Sequence, residues 1–379
     1  MPVIIHLITD LETGGAETAL VKLLAAHRHA PYTPVVVSMT GRGALGDAVE
    51  AEGATLHGLA MRRGHMDPGG LFRLIGLLRR YRPEILQSWM YHADLLGLIA
   101  GRLARVPRIL WNVRCSNMDM SAYSRMSILV VRTLARLSRQ PEAVVVNSLA
   151  GQAWHQHLGY RPRRWAYIPN GFDTARFRPD AEARMAIRGE LGIPAEAPLI
   201  GMLARVDPIK DHGCFIAAAA RFGEQRPEAH FLLAGSGIEA GNPALAGAAV
   251  LGSRIHLLGE RRDAPRIIAA LDIATLTSAF GEGFSNFIGE AMACAVPCVV
   301  TDVGDSRRIV GDGGLVVPPS DGAALAEAWE RLIAIGPEAR AEIGAAARAR
   351  IKNEFTAEAI AKQYQALYTG ESAATQTRP

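Results

Sequence analysis

The stretch YIPNGFDTARFRPD, residues 167–180, divides this 379-residue sequence into two halves that repeat the same pattern. Its Pro, Asn, Gly and Asp residues favour turns, so the stretch is interpreted as a linker. At about 150 residues per domain, the length predicts two to three domains. We therefore expect an N-terminal domain at 1–170 and a C-terminal domain at 171–354.

Short apolar runs alternate with segments of helical spacing on both sides of the linker. The runs before it are interpreted as strands at 3–9, 34–39, 54–59, 85–89, 108–113 and 143–148. The runs after it are interpreted as strands at 199–205, 230–235, 254–259, 273–278, 297–302 and 314–318. Strand–helix alternation predicts parallel sheets covered on both faces. The expected fold class is α/β, with two doubly wound domains facing a central cleft and ligands bound beyond the carboxyl ends of the strands.

The composition is ordinary for a globular protein, but the charge is unevenly spread. The net charge is +4, whereas residues 61–140 carry fourteen arginines, four acids and no lysine. Such asymmetry indicates a polyanionic partner, and the alternative is a solvated arginine-rich face. Nucleic acid is not expected, because the segment contains no recognisable reading module.

The spacing of the cysteines and the length of the apolar runs indicate the cellular compartment in which the protein is expected. The four cysteines include no CxxC pair, which indicates a reducing compartment and no zinc site. The N-terminal residues lack the features of a signal peptide, and no run reaches the roughly 18 apolar residues of a membrane-spanning helix. We expect a cytoplasmic protein.

Two glycine-rich stretches follow predicted strands. Gly14 and Gly15 lie at a strand-to-helix turn, where glycines allow close approach of a ligand and a helix start favours an anion. A plain tight turn is the alternative. The stretch AGSGIEAG, residues 234–241, resembles a nicotinamide-binding fingerprint, but its third glycine is out of register.

A pair of cations follows the first strand of the second half. Arg205 ends the run LIGMLAR, and Lys210, one of four lysines in the chain, comes five residues later. A guanidinium and an ammonium at the carboxyl end of a strand can neutralise a diphosphate. Two solvated surface cations are the alternative.

The stretch GEGFSNFIGEAMACAVPCVV, residues 281–300, contains two acids with seven residues between them. Ser285 or Asn286 suits the N-cap of a helix whose first amides can hold a phosphate. Glu290 would lie one turn into this helix and Glu282 in the loop before it. Carboxylates there can accept hydrogen bonds from a ribose diol and a sugar ring. A hydrolase pair would flank the scissile bond from opposite sides, which this arrangement does not suit.

At this point the sequence resembles the retaining glycosyltransferases of family 4, the glycosyl transferases group 1, which have the GT-B fold of two Rossmann-like domains. The matching pieces are GGAE (14–17), NSLAG (147–151), IPNGFD (168–173), R-x4-K (205–210), E-x7-E (282–290) and GDSRRIVGDGGLVVPP (304–319). They occur in the order of the family and cover nearly the whole chain.

The resemblance implies a role for each matching residue. Arg205 and Lys210 would hold the diphosphate of a nucleotide-sugar donor, often a uridine diphosphate sugar, and stabilise the leaving group. Glu290 would bind the ribose, and Glu282 would contact the transferred sugar. The resemblance also implies that the transferred sugar lies near the backbone amides of Phe284, Ser285, Asn286 and Phe287.

The resemblance also extends to the rest of the donor site and to the chain end. Gly14 and Gly15 would approach the donor phosphates across the cleft, and a final helix at 355–370 would pack back on the first domain. The residues after it, 371–379, have the composition of a flexible tail. No metal and no cofactor is implied, since the nucleotide sugar is a substrate.

One departure concerns the acceptor side. Many members of the family have a histidine where this chain reads WNVRCSN, with Arg114 and Cys115. Arg114 is a candidate contact for the donor phosphate or an acidic acceptor, and Cys115 is interpreted as a small buried residue. His92, at a strand-to-helix turn, is a candidate acceptor-side residue, with a structural histidine as the alternative.

The segment 121–140 sets Ile128, Leu129, Leu134 and Leu137 among four arginines. A basic helix with an apolar stripe can lie in a membrane interface, and the alternative is an ordinary domain helix. The leading hypothesis is therefore a peripheral enzyme on the inner face of a membrane, which transfers sugar to a lipid-linked or growing saccharide in cell-surface polysaccharide or glycolipid synthesis. The alternatives are a phosphorylase or sugar synthase, a nicotinamide-dependent oxidoreductase and a non-catalytic polyanion- or membrane-binding protein.

Overall fold

A computed structural model describes residues 1–12, 14–62, 67–116 and 124–371 of the chain. The chain forms two compact units. Unit 1 comprises Met1–Gly171 together with Ala357–Pro379, and unit 2 comprises Phe172–Thr356. Each unit is built on its own parallel sheet.

Unit 1 contains a seven-stranded sheet of order β3-β2-β1-β4-β5-β6-β7. The strands are β1 (Val3–Ile8), β2 (Thr33–Ser38), β3 (Thr55–Gly58), β4 (Ile85–Trp89), β5 (Arg108–Val113), β6 (Ala143–Val146) and β7 (Trp165–Tyr167). All pairs are parallel. Chain order reverses between β1 and β4, so the loops after these two strands meet at a topological switch point.

The helices of unit 1 cover both faces of this sheet. They are α1 (Gly15–Ala26), α2 (Gly46–Ala51), α3 (Pro68–Tyr81), α4 (Tyr91–Leu103), α5 (Arg125–Leu137), α6 (Leu149–His157) and, from the chain end, α14 (Ala357–Thr369). Alternate strand residues point to opposite faces. Ile4, Ile8 and Trp89 lie in the core with α1 and α14. Ile5 and Leu7, on the opposite face of the sheet, pack with α3 and α4. The helix α5 covers the rest of that face.

Unit 2 contains a six-stranded sheet of order β10-β9-β8-β11-β12-β13. The strands are β8 (Leu199–Leu203), β9 (His230–Ala234), β10 (Ile255–Leu257), β11 (Ile273–Leu276), β12 (Cys298–Thr301) and β13 (Gly314–Val317). All pairs are parallel. Here the switch point lies between β8 and β11, because β9 and β12 add on opposite sides of them.

The helices of unit 2 enclose one continuous apolar core. They are α7 (Ala181–Glu190), α8 (His212–Gln225), α9 (Ala264–Ala269), α10 (Asn286–Ala293), α11 (Ser306–Val310), α12 (Gly322–Ala334) and α13 (Pro337–Glu354). Short 3-10 turns occur at Pro208–Lys210 and Gly311–Gly313, and a longer 3-10 segment occupies Pro243–Arg254.

The twelve predicted strands all form, within one or two residues of the predicted bounds at most ends. The prediction missed β7, whose three residues are too few to give a clear apolar run. The division of the chain differs slightly from the expected bounds. Gly171 belongs to unit 1, whereas Phe355 belongs to unit 2, where its ring contacts Phe284 at 5.3 Å between centroids.

The end of the chain forms two helices, α13 and α14, where one helical stretch was expected. The second of them, α14, is part of unit 1 and contributes Ile360, Tyr364, Leu367 and Tyr368 to its core. Of the predicted flexible tail at 371–379, residues 372–379 lie outside the described part of the chain. Among the helices that the structure describes, none has the length and apolar character needed to cross a membrane.

Candidate active site

The predicted cation pair and one of the two acids meet at the switch point of unit 2. Arg205 follows β8, and Lys210 ends the 3-10 turn Pro208–Lys210. The loop after β11 contains Glu282, whose Oε2 lies 2.5 Å from Lys210 Nζ. These residues are 72 positions apart in sequence, so the parallel sheet is what brings them together.

Backbone and hydroxyl contacts fix the two loops to each other. Thr277 Oγ1 donates to the carbonyl oxygens of Lys210, at 2.7 Å, and Asp211, at 3.1 Å. The amide of Ala279 donates to the carbonyl of Ile209 at 2.9 Å. Lys210 is therefore held by its main chain, and its side chain is directed along the loop after β11.

Glu282 is largely buried, with 10% of its side chain exposed, and Lys210 has 19% exposed. Ser278 Oγ donates to the same Glu282 Oε2 at 2.8 Å. An ammonium has three N–H donors, so the bond to Glu282 leaves others for a ligand oxygen. Sequence reasoning did not single out Ser278, although its place at the carboxyl end of a predicted strand was the available signal.

A left-handed glycine supports the main chain of Glu282. Gly304, after β12, has φ +63°, and a Cβ there would lie 2.0 Å from the Glu282 carbonyl oxygen. The neighbouring amide of Asp305 donates to the carbonyl of Gly283 at 3.0 Å. The loop 281–284 therefore lies against the loop after β12, and only glycine fits at position 304.

The second acid lies on α10, as predicted. Ser285 is the N-cap, and its Oγ accepts from the amide of Ile288 at 3.4 Å. Glu290 is half-buried in the second turn of this eight-residue helix. The helix start, with its positive dipole end, follows Glu282 directly and is a suitable place for a phosphate.

The two phenylalanines of this segment are core residues. Phe284 is 4% exposed and lies between Phe172 and Phe355, and Phe287 is 7% exposed. Any contact of these two residues with a sugar or phosphate would therefore come from their main chain.

Arg205 is the exposed member of the group, with 61% of its side chain accessible. Its Nη2 lies 2.7 Å from Asp207 Oδ2, and its Nε lies 3.2 Å from the same oxygen. A guanidinium has five N–H donors, so three remain for an anionic ligand. Asp207 also caps the 3-10 turn, since its Oδ1 accepts from the amide of Ile209.

The remaining site candidates lie in unit 1, at the carboxyl ends of its strands. Gly14 is the N-cap of α1, in an extended conformation. A Cβ on Gly14 would clash with the Glu17 carboxylate, whereas a Cβ on Gly15 would meet open space. Gly15 thus leaves room for a ligand at the start of α1, whereas a side chain at position 14 would only displace the flexible Glu17 carboxylate.

His92 lies in the first turn of α4 and is half-buried. Burial lowers its pKa below the ordinary histidine value, so the imidazole is neutral at physiological pH. A neutral imidazole can accept or donate a hydrogen bond. This is compatible with both the acceptor-side role and the structural role considered from the sequence.

Arg114 is held by a set of contacts within unit 1. Its Nη2 donates to Asn170 Oδ1, and its guanidinium lies 5.6 Å from the centre of the Trp89 ring. Burial lowers the pKa of this guanidinium, and a hydrogen bond with the Tyr364 hydroxyl offsets part of that effect. The side chain of Arg114, which follows β5, is therefore held by the end of β4, by the segment after β7 and by α14.

Cys115 belongs to a buried chain of hydrogen bonds. His155 Nδ1 lies 2.6 Å from the carbonyl oxygen of Gly151, so this nitrogen carries the proton and Nε2 is the acceptor. The Tyr91 hydroxyl donates to that Nε2 at 3.0 Å and accepts from the Cys115 thiol at 3.0 Å. Burial raises the pKa of Cys115 to about 11, so the thiol is protonated at physiological pH.

The interpretation of 121–140 as one amphipathic stripe is wrong for part of its apolar set. The described helix is α5, and residues 121–123 lie outside the described residues. Leu134 is fully buried in the core of unit 1, because the side of α5 that carries Val130 and Val131 faces the sheet. Leu129, at 56% exposure, remains on the arginine-rich side.

The stretch AGSGIEAG does not form a dinucleotide site of the usual kind. Gly235 has φ +143° and a Cβ there would lie 2.3 Å from the Ala204 carbonyl oxygen, so it serves the close approach of two backbones. The chain then enters the 3-10 segment Pro243–Arg254 and not an α-helix. The helix start that holds a pyrophosphate in that motif is absent at this described position. Across the described residues, no three His, Cys, Asp or Glu side chains cluster as metal ligands would.

Comparison with known families agrees with the geometry. A sequence model described as Glycosyltransferase Family 4 matches residues 13–176, and one described as Glycosyl transferases group 1 matches residues 197–334. Together they cover most of the chain, including the loops after β8 and β11. The chain belongs to glycosyltransferase family 4.

Known relatives of this family 4 chain act with different donors. It is 26% identical over 256 residues to the UDP-Gal:alpha-D-GlcNAc-diphosphoundecaprenol alpha-1,3-galactosyltransferase of Escherichia coli, covering 64% of each protein. It is 32% identical over 216 residues to a GDP-mannose-dependent monoacylated alpha-(1-6)-phosphatidylinositol monomannoside mannosyltransferase of Corynebacterium glutamicum, covering 54% of this chain and 56% of the relative. The chain thus spans less than two thirds of the length of these two curated relatives.

Among solved structures, Anabaena HepE in complex with UDP superimposes with a TM-score of 0.83 at 23% identity, over 98% of this chain and 100% of that one. This likeness shows the fold. The family 4 chain has the GT-B class of two Rossmann-like α/β domains.

Proposed function

We propose that this chain transfers a sugar from a nucleoside diphosphate sugar to a lipid-linked or growing saccharide, with retention of configuration at the anomeric carbon. The observation that carries the proposal is the Lys210–Glu282 pair at the switch point of unit 2. Arg205 lies in the same pair of loops, and the start of α10 follows Glu282. Cations, a buried carboxylate and a helix start are the groups that a diphosphate joined to a sugar requires.

In this proposal each group has a separate part in the reaction. The bond between the anomeric carbon and the diphosphate oxygen breaks, and its electron pair stays with the diphosphate. Arg205, Lys210 and the helix start stabilise that developing charge, so catalysis is largely electrostatic and needs no metal. The acceptor hydroxyl oxygen forms the new bond to the anomeric carbon, and its proton passes to the departing diphosphate oxygen. Glu282 orients the sugar, and Glu290 binds the ribose.

The family and the names of its relatives support the substrate classes. A UDP sugar is the favoured donor, because the Escherichia coli relative is named for UDP-Gal and the HepE structure contains UDP. The Corynebacterium glutamicum relative is named for GDP-mannose, so GDP sugars belong in the test. Both curated relatives are named for lipid-linked acceptors, which supports a place in cell-surface polysaccharide or glycolipid synthesis. We further propose that the enzyme works in the cytoplasm, on the inner face of a membrane.

The test is donor turnover by the purified chain in the presence of a metal chelator. A panel of UDP, GDP and ADP sugars is offered with water or simple saccharides as acceptors, and release of the nucleoside diphosphate is measured. We expect release from one nucleotide class, and nuclear magnetic resonance of the product should show the anomeric configuration of the donor. Inverted product would contradict retention, and strict dependence on added metal would contradict the electrostatic mechanism.

Variants of the two loops separate catalysis from simple binding. Glu282→Gln keeps the shape of the side chain but removes its charge, and we expect kcat to fall by about a hundredfold. Glu327→Gln, an exposed glutamate on α12, is the matched control and should leave turnover unchanged. Equal rates for both variants would remove Glu282 from the mechanism, whereas no turnover of any donor by the natural chain would favour a non-catalytic binding protein. Binding of NAD in place of a nucleoside diphosphate would favour the oxidoreductase alternative.

A further inference from the structure

Three neighbouring helices of unit 1 form one outer layer. The buried residues of α3, α4 and α5 pack against the same face of the sheet, and α4 lies between the other two helices. All residues of these helices belong to the described part of the chain. The side of this layer that points away from the sheet is called the α3–α5 face below.

Large apolar side chains are exposed on this face. They are Phe72 on α3, Ile99 and Leu103 on α4, and Met126 and Leu129 on α5. Phe72 is 70% exposed. Scattered exposed apolar residues are common on proteins, but a concentration of them on adjacent helices marks a contact surface.

The charge of the α3–α5 face is of one sign. The three helices contain seven arginines, all of them exposed, and a single acid, Asp94. Asp94 is fully buried, and burial raises its pKa well above the ordinary carboxyl value. Within the three helices, Arg73 alone has an ion-pair partner among the described residues, namely Asp67. Apart from the Arg73–Asp67 pair, the described residues of the face therefore present exposed apolar groups and arginines without an ion-pair partner, and the three helices carry no exposed carboxylate.

The positive surface continues beyond the end of α5. Arg139, Arg161 and Arg163 line an open groove of about 840 Å³ together with Trp165. This groove lies at the amino-terminal ends of β6 and β7. The loops that carry Gly15, His92 and Arg114 lie at the opposite, carboxyl-terminal ends of the strands. Indole rings are enriched at the headgroup level of membranes, and arginine side chains can place their charged groups there.

We propose that the α3–α5 face docks on a bilayer that contains anionic phospholipid. Apolar side chains enter the boundary between headgroups and acyl chains, and the surrounding arginines contact lipid phosphates. An acidic protein or saccharide would account for the arginines but not for five exposed apolar side chains among them. The inference names the partner of the peripheral association proposed above and rests on that part of the proposed function.

The test is flotation of the full chain with vesicles of neutral phosphatidylcholine and with vesicles that also contain phosphatidylglycerol. We expect the protein to float with the anionic vesicles and to remain in solution with the neutral ones. Arg132→Gln combined with Arg136→Gln should weaken partitioning about fivefold for each arginine removed. The triple variant Phe72→Ser, Leu103→Ser and Leu129→Ser should remove the part of the binding that survives high salt.

Matched controls come from exposed residues of unit 2. Arg221→Gln with Arg331→Gln repeats the loss of charge, and Met185→Ser with Val250→Ser repeats the loss of exposed apolar area. Both controls should float like the natural chain. Absence from both kinds of vesicle, or equal loss in variants and controls, would overturn the proposal. So would flotation with anionic vesicles that depends on the arginines but not on the apolar triple, at low and at high salt.

A separate measurement distinguishes failure of this inference from failure of the proposed function. Binding of a nucleoside diphosphate by calorimetry needs no vesicle and depends on unit 2. A chain that binds the nucleotide but no vesicle contradicts the α3–α5 face alone. A chain that binds vesicles but no nucleotide contradicts the transferase proposal and leaves the docking surface standing.

Discussion

Lys210 and Glu282 depend on each other because both are largely removed from solvent. Their side chains are 19% and 10% exposed, and Glu282 Oε2 accepts from both Lys210 and Ser278. Loss of one member of a buried pair leaves the other charge uncompensated, which costs more than the pair itself contributes. At the residue scale, substitutions that keep the shape of the side chain are therefore the informative ones.

Ser278→Ala removes one hydrogen bond to the Glu282 carboxylate without changing charge. We expect kcat for donor turnover to fall by about three- to tenfold, because the carboxylate is held less firmly, while donor affinity changes little. Steady-state kinetics would measure both quantities. Ser306→Ala is the control, since the Ser306 hydroxyl is buried without a hydrogen-bond partner among the described residues. A change in affinity with constant kcat would contradict a role for Ser278 in positioning Glu282.

Asp272 joins three elements of unit 2. Its carboxylate accepts from Arg184 at 2.7 Å, from Arg188 at 2.6 Å and from the amide of Leu199 at 2.8 Å. Arg188 is nearly buried, with 5% of its side chain exposed. Asp272→Ala should therefore lower the free energy of unfolding by about 3–5 kcal/mol, because it leaves a buried guanidinium unpaired.

Chemical denaturation would measure this loss. Asp302→Ala is the matched control, because Asp302 pairs with Arg307 in an exposed ion pair at 2.7 Å. Exposed pairs contribute about 0–1 kcal/mol, so the control should unfold almost like the natural chain. Equal losses for the two variants would show that burial of the Asp272 cluster does not stabilise unit 2.

At the scale of elements, α14 is fixed to the sheet of unit 1 by polar contacts inside an apolar core. The Tyr368 hydroxyl donates to Gln87 Oε1, and Asn112 Nδ2 donates to the Tyr364 hydroxyl at 2.9 Å. Arg108 Nη2 donates to the carbonyl oxygen of Leu367 at 2.9 Å, near the end of the helix. Apolar contacts alone would tolerate several positions of α14, whereas these hydrogen bonds select one.

Tyr364→Phe should destabilise unit 1 by about 1–3 kcal/mol, since the buried donors of Asn112 and Arg114 lose their shared partner. The substitution should increase the rate of amide hydrogen exchange in α14 more than in α13, relative to the natural chain. Tyr81→Phe serves as a control, because the Tyr81 hydroxyl meets the half-buried His57 and its loss should cost less. Unchanged exchange in α14 would contradict its polar attachment.

Strands and helices could be predicted where their own residues determine the local conformation. The contacts between these elements could not be predicted in this way. Runs such as VIIHLI predict buried parallel strands, and the cap Ser285 follows from residue type. The burial of Leu134 was missed although α5 itself carries the signal, because its three arginines recur on one side of the helix and Leu134 lies on the opposite side, which faces the sheet. The contact between Lys210 and Glu282 depends on the strand order of unit 2, which no local pattern contains.

At the scale of the whole molecule, buried histidines make stability depend on pH. Burial lowers the pKa of His155 to about 4 and that of His6 to about 3, while both titrate near 6.5 in the unfolded chain. The unfolded state therefore binds more protons below about pH 6.5, and stability present above that pH is lost as pH falls towards about 4. Each histidine contributes up to about 1.4 kcal/mol per pH unit within this window.

His155→Gln should reduce the slope of stability against pH in this window, even if it lowers stability at neutral pH. Urea unfolding at several pH values would measure the slope. His29→Gln, at an exposed histidine, should leave the slope unchanged. A steeper slope after loss of His155 would contradict the assignment of a neutral, buried imidazole in the folded chain.

Calorimetric titration of the chain with UDP, GDP, ADP and NAD, without metal, tests the diphosphate site of unit 2 directly. We expect binding of one nucleoside diphosphate, weakened about 10- to 100-fold by Lys210→Gln and by Arg205→Gln, since each removes a charge-assisted contact. Arg205 is exposed, so its variant should fold even if that of Lys210 does not. Arg221→Gln should bind like the natural chain. Binding of NAD alone, or nucleotide binding indifferent to both cations, would contradict the account.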